Sequence, residues 1–185
     1  MKRILLLILF ITYSLVSKAQ NTEYNSMIKF ETVHGGLHFT QKIKDRSSIS
    51  IIVNYDLRYL INPNYYDLQI SPEYRFHLSK KNAWPRGFYI GTYLFFKDFV
   101  VARPIEQNNI MIDSKDEIVT AGIGIKPGYQ LTFPASGRWV IDWGLGFGYN
   151  IYRDVNNVEG VPIINEDSYD VNFSANIAVG YVFSR

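Results

Sequence analysis

Cysteine is absent from the 185 residues, which excludes a disulfide framework and cysteine-ligated metal, so burial and backbone hydrogen bonding have to hold the fold. With no cysteine near the N-terminal processing region, a lipoprotein acyl anchor is excluded too. The apolar run Ile4 to Val16 falls short of the roughly 20 residues that a helix needs to cross a bilayer. It follows Met1-Lys2-Arg3 and ends at Ser17-Lys18-Ala19, the order of charge, grease and small residue that marks a secretory signal peptide. Cleavage after Ala19 is therefore expected, with a signal peptide over 1–19 and one domain over 20–185. A basic excess is lacking as well. Taking Lys2, Arg3 and Lys18 from the 19 basic residues leaves 16 against 17 acidic ones, a net charge of −1 for the exported part. Nucleic acid is not an expected partner of such a chain.

What the chain has in abundance is aromatic residues, 16% of the total with 14 Tyr and 12 Phe, too many for disorder and suited to strands with interfacial rings. They recur with a period of two. From Ser48 to Leu60, Ile49, Ile51, Val53, Tyr55, Leu57 and Tyr59 share one face, and Ser48, Ser50, Asn54, Asp56 and Arg58 share the other. Successive side chains of a strand point to opposite faces, whereas a helix would mix the two sets. Tyr66 to Leu78, Val119 to Leu131, Trp139 to Ile151 and Tyr169 to Phe183 repeat the pattern, the last three with Gly122, Gly124, Gly128, Gly144, Gly146, Gly148 and Gly180 on the polar face. Phe88 to Phe99 is apolar on both faces, a strand of undetermined phase.

Near the N-terminus, Ile28 and Phe30 lie in one phase and Leu37 and Phe39 in the other, with Gly35-Gly36 at the change. Two short strands, Asn25 to Val33 and Leu37 to Ile43, joined by a tight turn fit this pattern; one long strand with a glycine bulge is the alternative. The pair brings the count to eight, an even number that closes an antiparallel barrel with both termini on one side. Loop lengths agree. With the N-terminus in the periplasm, the long links Val100 to Lys115 and Arg153 to Asp167 fall outside, and the short links Lys44 to Ser47 and Phe133 to Arg138 fall inside, the asymmetry of outer-membrane barrels.

Alternation alone does not say which face points inward. Size does: Trp139, Trp143, Phe147, Tyr149, Tyr74 and Phe76 are too bulky to fill an eight-strand interior together, and the glycines suit a narrow lumen. Charges of both signs on the polar face, with Glu73, Arg75, Lys126 and Asp142 foremost, are expected to pair inside the barrel as a plugging network. Tyr59, Tyr65, Tyr66, Trp84, Phe133, Trp139, Tyr152 and Tyr169, near strand ends, are expected to form the aromatic girdles.

The final strand, from Asn176 to Phe183, resembles the C-terminal assembly signal of outer-membrane barrels, with Ala178 where glycine is usual and Ser184-Arg185 beyond the last aromatic. Ser71-Pro72-Glu73-Tyr74-Arg75-Phe76, Gly87-Phe88-Tyr89-Ile90-Gly91 and Gly128-Tyr129-Gln130 resemble a family of small exported barrels of Bacteroidota of unknown function, and Lys18-Ala19-Gln20 is similar to signal peptides of that group. The resemblance implies an OmpA-like or OmpX-like barrel in the outer membrane. The partners it implies are membrane lipid, lipopolysaccharide and the assembly machinery, the last through Asn176, Tyr181 and Phe183.

Catalytic chemistry has few candidates. His34, His38 and His77 form no HExxH pair. His77 and Ser79 lie two apart, on one strand face, and resemble the His-x-Ser element of the lipid A deacylases, outer-membrane barrels that modify lipid. A nucleophilic serine needs a base and a group that orients the base. No acidic residue follows before Asp98, Lys80 and Lys81 stand where asparagine and glycine are usual, and this strand end falls in the periplasm, so His77 is read as a lumen histidine. The acidic residues Asp113, Asp116, Glu117, Asp154, Glu159, Glu166 and Asp167 are read as solvating the outer loops, not as a metal site. Overall, the sequence points to an all-β, closed, antiparallel eight-stranded transmembrane barrel. No enzyme activity, catalytic residue, metal or cofactor is assigned, and a structural, envelope-integrity or surface-interaction role is expected of a monomer. The rivals are a lipid-modifying enzyme and a soluble periplasmic barrel that carries a small apolar ligand.

Overall fold

A computed structural model describes residues 25–32, 35–55, 66–78, 84–107, 110–133, 138–160 and 171–184. Within them run eight strands: β1 Asn25–Glu31, β2 Gly36–Lys44, β3 Ser47–Tyr55, β4 Asp67–His77, β5 Gly87–Gln107, β6 Ile110–Thr132, β7 Trp139–Glu159 and β8 Val171–Ser184. Each pairs with its neighbour in sequence order, and β1 pairs with β8 from Asn25↔Ser184 to Glu31↔Ala178, closing an antiparallel barrel. Closure satisfies the backbone groups that an open sheet edge would leave bare. Every connection is that of a meander, so both chain ends of the barrel and the β2–β3 turn at Asp45–Arg46 lie at one rim.

The N-terminal region is two strands. Ile28 pairs with Phe39 and Glu31 with Gly36, and Gly35 in the turn has φ 75°, a conformation that costs glycine little. The turn also accounts for the phase change: Ile28 and Phe30 of β1 and Leu37 and Phe39 of β2 all stand on the outer face.

Alternation reads correctly through the barrel. Trp143, Leu145, Phe147 and Tyr149 point outward, and Val140, Asp142, Gly144, Gly146 and Gly148 point inward. In β5 the inward set is Tyr89, Gly91, Tyr93 and Phe95, and the outward set is Phe88, Ile90, Thr92 and Leu94. The lumen thus takes three aromatic rings from one strand, and the glycines of β6 and β7 make room for them. A β-carbon at Gly148 would sit 2.9 Å from the Phe95 ring, and one at Gly144 3.0 Å from the Tyr89 hydroxyl.

The long links differ from expectation. Val100 to Lys115 is not a loop but the end of a β5–β6 hairpin paired from Gly87↔Gln130 to Gln107↔Ile110, and β7 runs on to Glu159. Asp113, Asp116, Glu117, Asp154 and Glu159 are accordingly strand residues. Past Phe99, which pairs with the first residue of β4, ladder hydrogen bonds hold this hairpin, but its residues no longer alternate apolar with polar, so hydropathy stops reporting it.

Trp84 is a second correction. Expected in a girdle, it is only 6% exposed and packs with Met27, Val140 and Val182 as an apolar plug at the rim that holds the termini. It belongs to the β4–β5 connection, which turns it under the barrel mouth, and proximity to a strand end does not say which side of the wall a ring takes. Phe133, Trp139 and Tyr152 stand outside as expected, and Trp139 meets Tyr181 edge-on with ring centroids 5.3 Å apart. The signal peptide, His34, Asp56, Arg58, Tyr59, Tyr65, Ser79, Glu166, Asp167 and Tyr169 lie outside the described residues.

Candidate functional site: an ion network across the lumen

Above the apolar plug, inward positions of β1, β4, β5, β6 and β7 converge on one carboxylate. Asp142 of β7 accepts from Arg75 Nη1 at 2.5 Å and from Lys29 Nζ through its Oδ2, from Gln130 Nε2 at 3.2 Å on the same atom, and from the Tyr89 hydroxyl at 2.9 Å on Oδ1. Arg75 turns the rest of its guanidinium to Glu73, two residues away on the same strand face, donating from Nε at 2.8 Å and Nη2 at 3.1 Å. Lys126 Nζ closes the far side at 3.3 Å from Glu73 Oε2. Two rings shield the cations: the Arg75 guanidinium lies 4.4 Å from the Tyr89 centroid and Lys126 Nζ 5.1 Å from that of Tyr93.

Lys29, Glu73, Arg75 and Asp142 are wholly buried. Charges taken this far from water persist only when paired and hydrogen-bonded, because desolvation of an unpaired ion is very costly. The planar fork of Arg75 meets that demand by binding two carboxylates at once. Glu73, Arg75, Lys126 and Asp142 are the four residues expected to form the network, and the structure brings all four together. Lys29, Tyr89 and Gln130 join them, beyond the members expected from the sequence. The inward phase of Lys29 was available from Ile28 and Phe30 on either side of it, but Tyr89 had no signal, since β5 is apolar on both faces.

A second layer of polar contacts accompanies the network. Thr40 and Ser50 hydroxyls meet at 2.8 Å, and His38 Nε2 lies 2.9 Å from Glu31. His77 faces the lumen as expected, and its Nε2 is 3.3 Å from the Ser48 hydroxyl. Nδ1 of His77 has no hydrogen-bond partner among the described residues, so the orienting acid of a nucleophilic triad is missing from this pair. Asp116 is buried and accepts from Asn157 at 2.8 Å, while Glu117 and Asp154 point to the exterior. Among the described residues no three of the metal-binding types His, Cys, Asp and Glu gather in one place. Chemically the arrangement pairs opposite charges across the lumen.

A family model described as "Protein of unknown function (DUF3575)" matches residues 3–161. The chain belongs to this family. No curated protein matches it. Among solved structures, the barrel of this family member is similar to Acinetobacter baumannii CarO, with 10% identity and a TM-score of 0.48 over 86% of this chain and 97% of that one. It is also similar to the N-terminal β-barrel domain of Pseudomonas aeruginosa OprF, with 12% identity and a TM-score of 0.44 over 86% and 95% of the two chains. A second Acinetobacter baumannii protein, CarO2, gives 12% identity and a TM-score of 0.45 over 86% and 98%.

Proposed function

We propose that the protein spans a bacterial outer membrane as a monomeric, non-enzymatic barrel with a structural, envelope-integrity or surface-interaction role. The observation that carries this reading is the inversion of polarity across the wall. Phe88, Phe173 and Ile125 are 63%, 61% and 55% exposed, with Leu94, Ile123, Trp143 and Phe147 also facing out, while Arg75, Asp142, Glu73 and Lys29 are buried inside. A water-soluble barrel would expose so large an apolar surface only at a heavy cost, and lipid favours it. Phe133, Trp139, Tyr152 and Tyr181 then sit at the levels where aromatic side chains meet headgroups.

Lipid and lipopolysaccharide are the partners of the outer wall in this reading. Tyr181 and Phe183 share that wall, with ring centroids 5.2 Å apart, and they are the side chains we assign to recognition by the assembly machinery. Asn176 points into the lumen, so its part in the signal is limited to the strand backbone. The extended β5–β6 hairpin and the end of β7 project past the rim opposite the termini and supply the surface available to other molecules. The lumen network closes the bore, which assigns the barrel no conducting role.

Gel mobility of the protein from isolated outer membranes, run with and without boiling, tests the placement. Retention in the membrane against carbonate and a mobility shift on heating are expected. Recovery in the soluble fraction without detergent, together with no heat shift, would overturn the proposal.

A further inference from the structure

Among the described residues, the exposed charged side chains divide by rim. At the rim of the termini they are Lys44, Asp45, Arg86 and Arg138; on the extended hairpin and the end of β7 they are Glu106, Glu117 and Asp154. Lys42 holds Asp45 at 3.2 Å, so the rim of the termini stays basic while the opposite end is acidic. One sector of the basic rim joins this charge to the apolar outer wall. Arg46, in the β2–β3 turn, donates from Nε to the His77 carbonyl at 3.2 Å and from Nη2 to the Leu78 carbonyl at 3.0 Å, and its guanidinium lies 4.9 Å from the Phe76 centroid. Phe76 and Leu78 stand exposed on the outside of β4, which places the guanidinium on the wall and not in the lumen. The Leu78 N–H donates to the Phe88 carbonyl at 2.9 Å, and Arg86, exposed two residues before Phe88, carries the basic sector on to β5. Neither Arg46 nor Arg86 has a carboxylate partner among the described residues.

We propose that this sector, Arg46 and Arg86 beside Phe76, Leu78 and Phe88, binds an anionic phospholipid, one whose headgroup carries no ammonium, in the periplasm-facing leaflet of the outer membrane. The inference rests on the outer-membrane reading, with the termini in the periplasm. A guanidinium presents its N–H groups as a planar fork that fits two phosphate oxygens. Two backbone carbonyls and a ring already hold Arg46 in place, so it gives up little rotamer freedom on binding. The exposed Phe76, Leu78 and Phe88 offer the acyl chains of the same molecule a surface that begins where the charge ends. A soluble phosphate would use the charge and leave that surface empty. A zwitterionic lipid brings an ammonium that the arginines repel, whereas each basic residue at a membrane surface strengthens the attraction of anionic lipid about fivefold. The opposite end, acidic where it is exposed, offers no such site, so the preference belongs to one leaflet.

The test is native mass spectrometry of the full chain released from a non-ionic detergent. It is titrated with phosphatidylglycerol, with phosphatidylcholine of the same acyl chains, and with glycerophosphoglycerol, the first headgroup without its chains. A saturable phosphatidylglycerol adduct is expected, about tenfold tighter than that of phosphatidylcholine and weakened about fivefold in Arg46→Gln and in Arg86→Gln. Lys115→Gln removes the same charge at the opposite end and is expected to leave the preference unchanged. Should Arg46→Gln lose the heat shift, Arg86→Gln carries the test, because Arg86 makes no hydrogen bond or ion pair whose loss would unfold the barrel. In a protein that still shifts on heating, any of four results would overturn the proposal: equal affinity for the two lipids, unchanged affinity in Arg86→Gln, an equal loss in Lys115→Gln, or glycerophosphoglycerol binding as tightly as the lipid. Failure of the outer-membrane reading shows separately, as recovery in the soluble fraction.

Discussion

Near the termini the lumen is filled first by Met27, Trp84, Val140 and Val182 and then by Lys29, Arg75, Asp142 and Glu73, all buried. Past Lys126 the same eight strands enclose a cavity whose mouth carries the half-buried pair Lys97–Asp67, at 25% and 28% side-chain exposure. Both halves follow one rule of alternation, so strand geometry does not set them apart. Side-chain size and the completeness of pairing do. In the lower half Tyr89 finds Gly128 and Gly144 opposite, and the buried cations find Asp142 and Glu73. In the upper half Ser71, Ser174, Asn54 and Asn172 are among the inward residues, short side chains that leave a cavity between the walls. A barrel of this width is thus sealed or hollow according to what a handful of inward positions carry.

The largest effect that would sharpen this contrast is at the centre of the network. Asp142→Ala removes the acceptor shared by Arg75, Lys29, Tyr89 and Gln130 and leaves two buried cations short of counter-charge, at a cost of about 3–5 kcal/mol. Urea titration of the purified protein in micelles, followed by tryptophan fluorescence, measures it. A loss well below 1 kcal/mol would mean that water reaches the network and that the lower half is not sealed. A smaller effect is expected where rings meet glycines. In Gly148→Ala the new methyl sits 2.9 Å from the Phe95 ring and 3.1 Å from the Tyr93 hydroxyl, and overpacking costs about 1–3 kcal/mol. Adding Phe95→Leu should recover much of that loss. Additive costs in the double variant would show that the glycine serves something other than the ring.

Much of this barrel is legible in the sequence because a wall between two unlike media imposes strict alternation. β3, β4, β6, β7 and β8 have the phase that their alternation predicts, and the glycine-rich faces of β6 and β7 point inward as their size requires. The network members Glu73, Arg75, Lys126 and Asp142 followed from the same phase. Three things were not legible, each for a physical reason. Tyr89, Tyr93 and Phe95 belong to a strand that is apolar on both faces, so the sequence shows that the glycines suit a narrow lumen but not that they are sockets for these rings. The ends of β5, β6 and β7 run past the first rung of β4, where pairing continues and hydropathy alternation does not, so they look like loops in the sequence. Trp84 lies in a connection, which carries no phase, so nearness to a strand end suggests the girdle where the structure has the plug.

The smallest expected effect tests the upper half by the standard of the lower. Lys97 holds Asp67 at 3.0 Å, and its Nζ lies 4.5 Å from the Phe99 centroid, so by contact geometry alone the pair resembles those below. Exposure is what differs. Water and salt screen an ion pair at a cavity mouth, and ordering two long side chains offsets part of the attraction, so Lys97→Met should change stability by about 0–1 kcal/mol. Added salt should erase what remains, because the Debye length falls to about 3 Å at 1 M. The same salt should leave the cost of Asp142→Ala largely intact, since buried charges are screened much less. Were Lys97→Met to cost as much as Asp142→Ala, and to resist salt equally, the upper half would be as dry as the lower, and the division of the lumen into a sealed and an accessible part would fail.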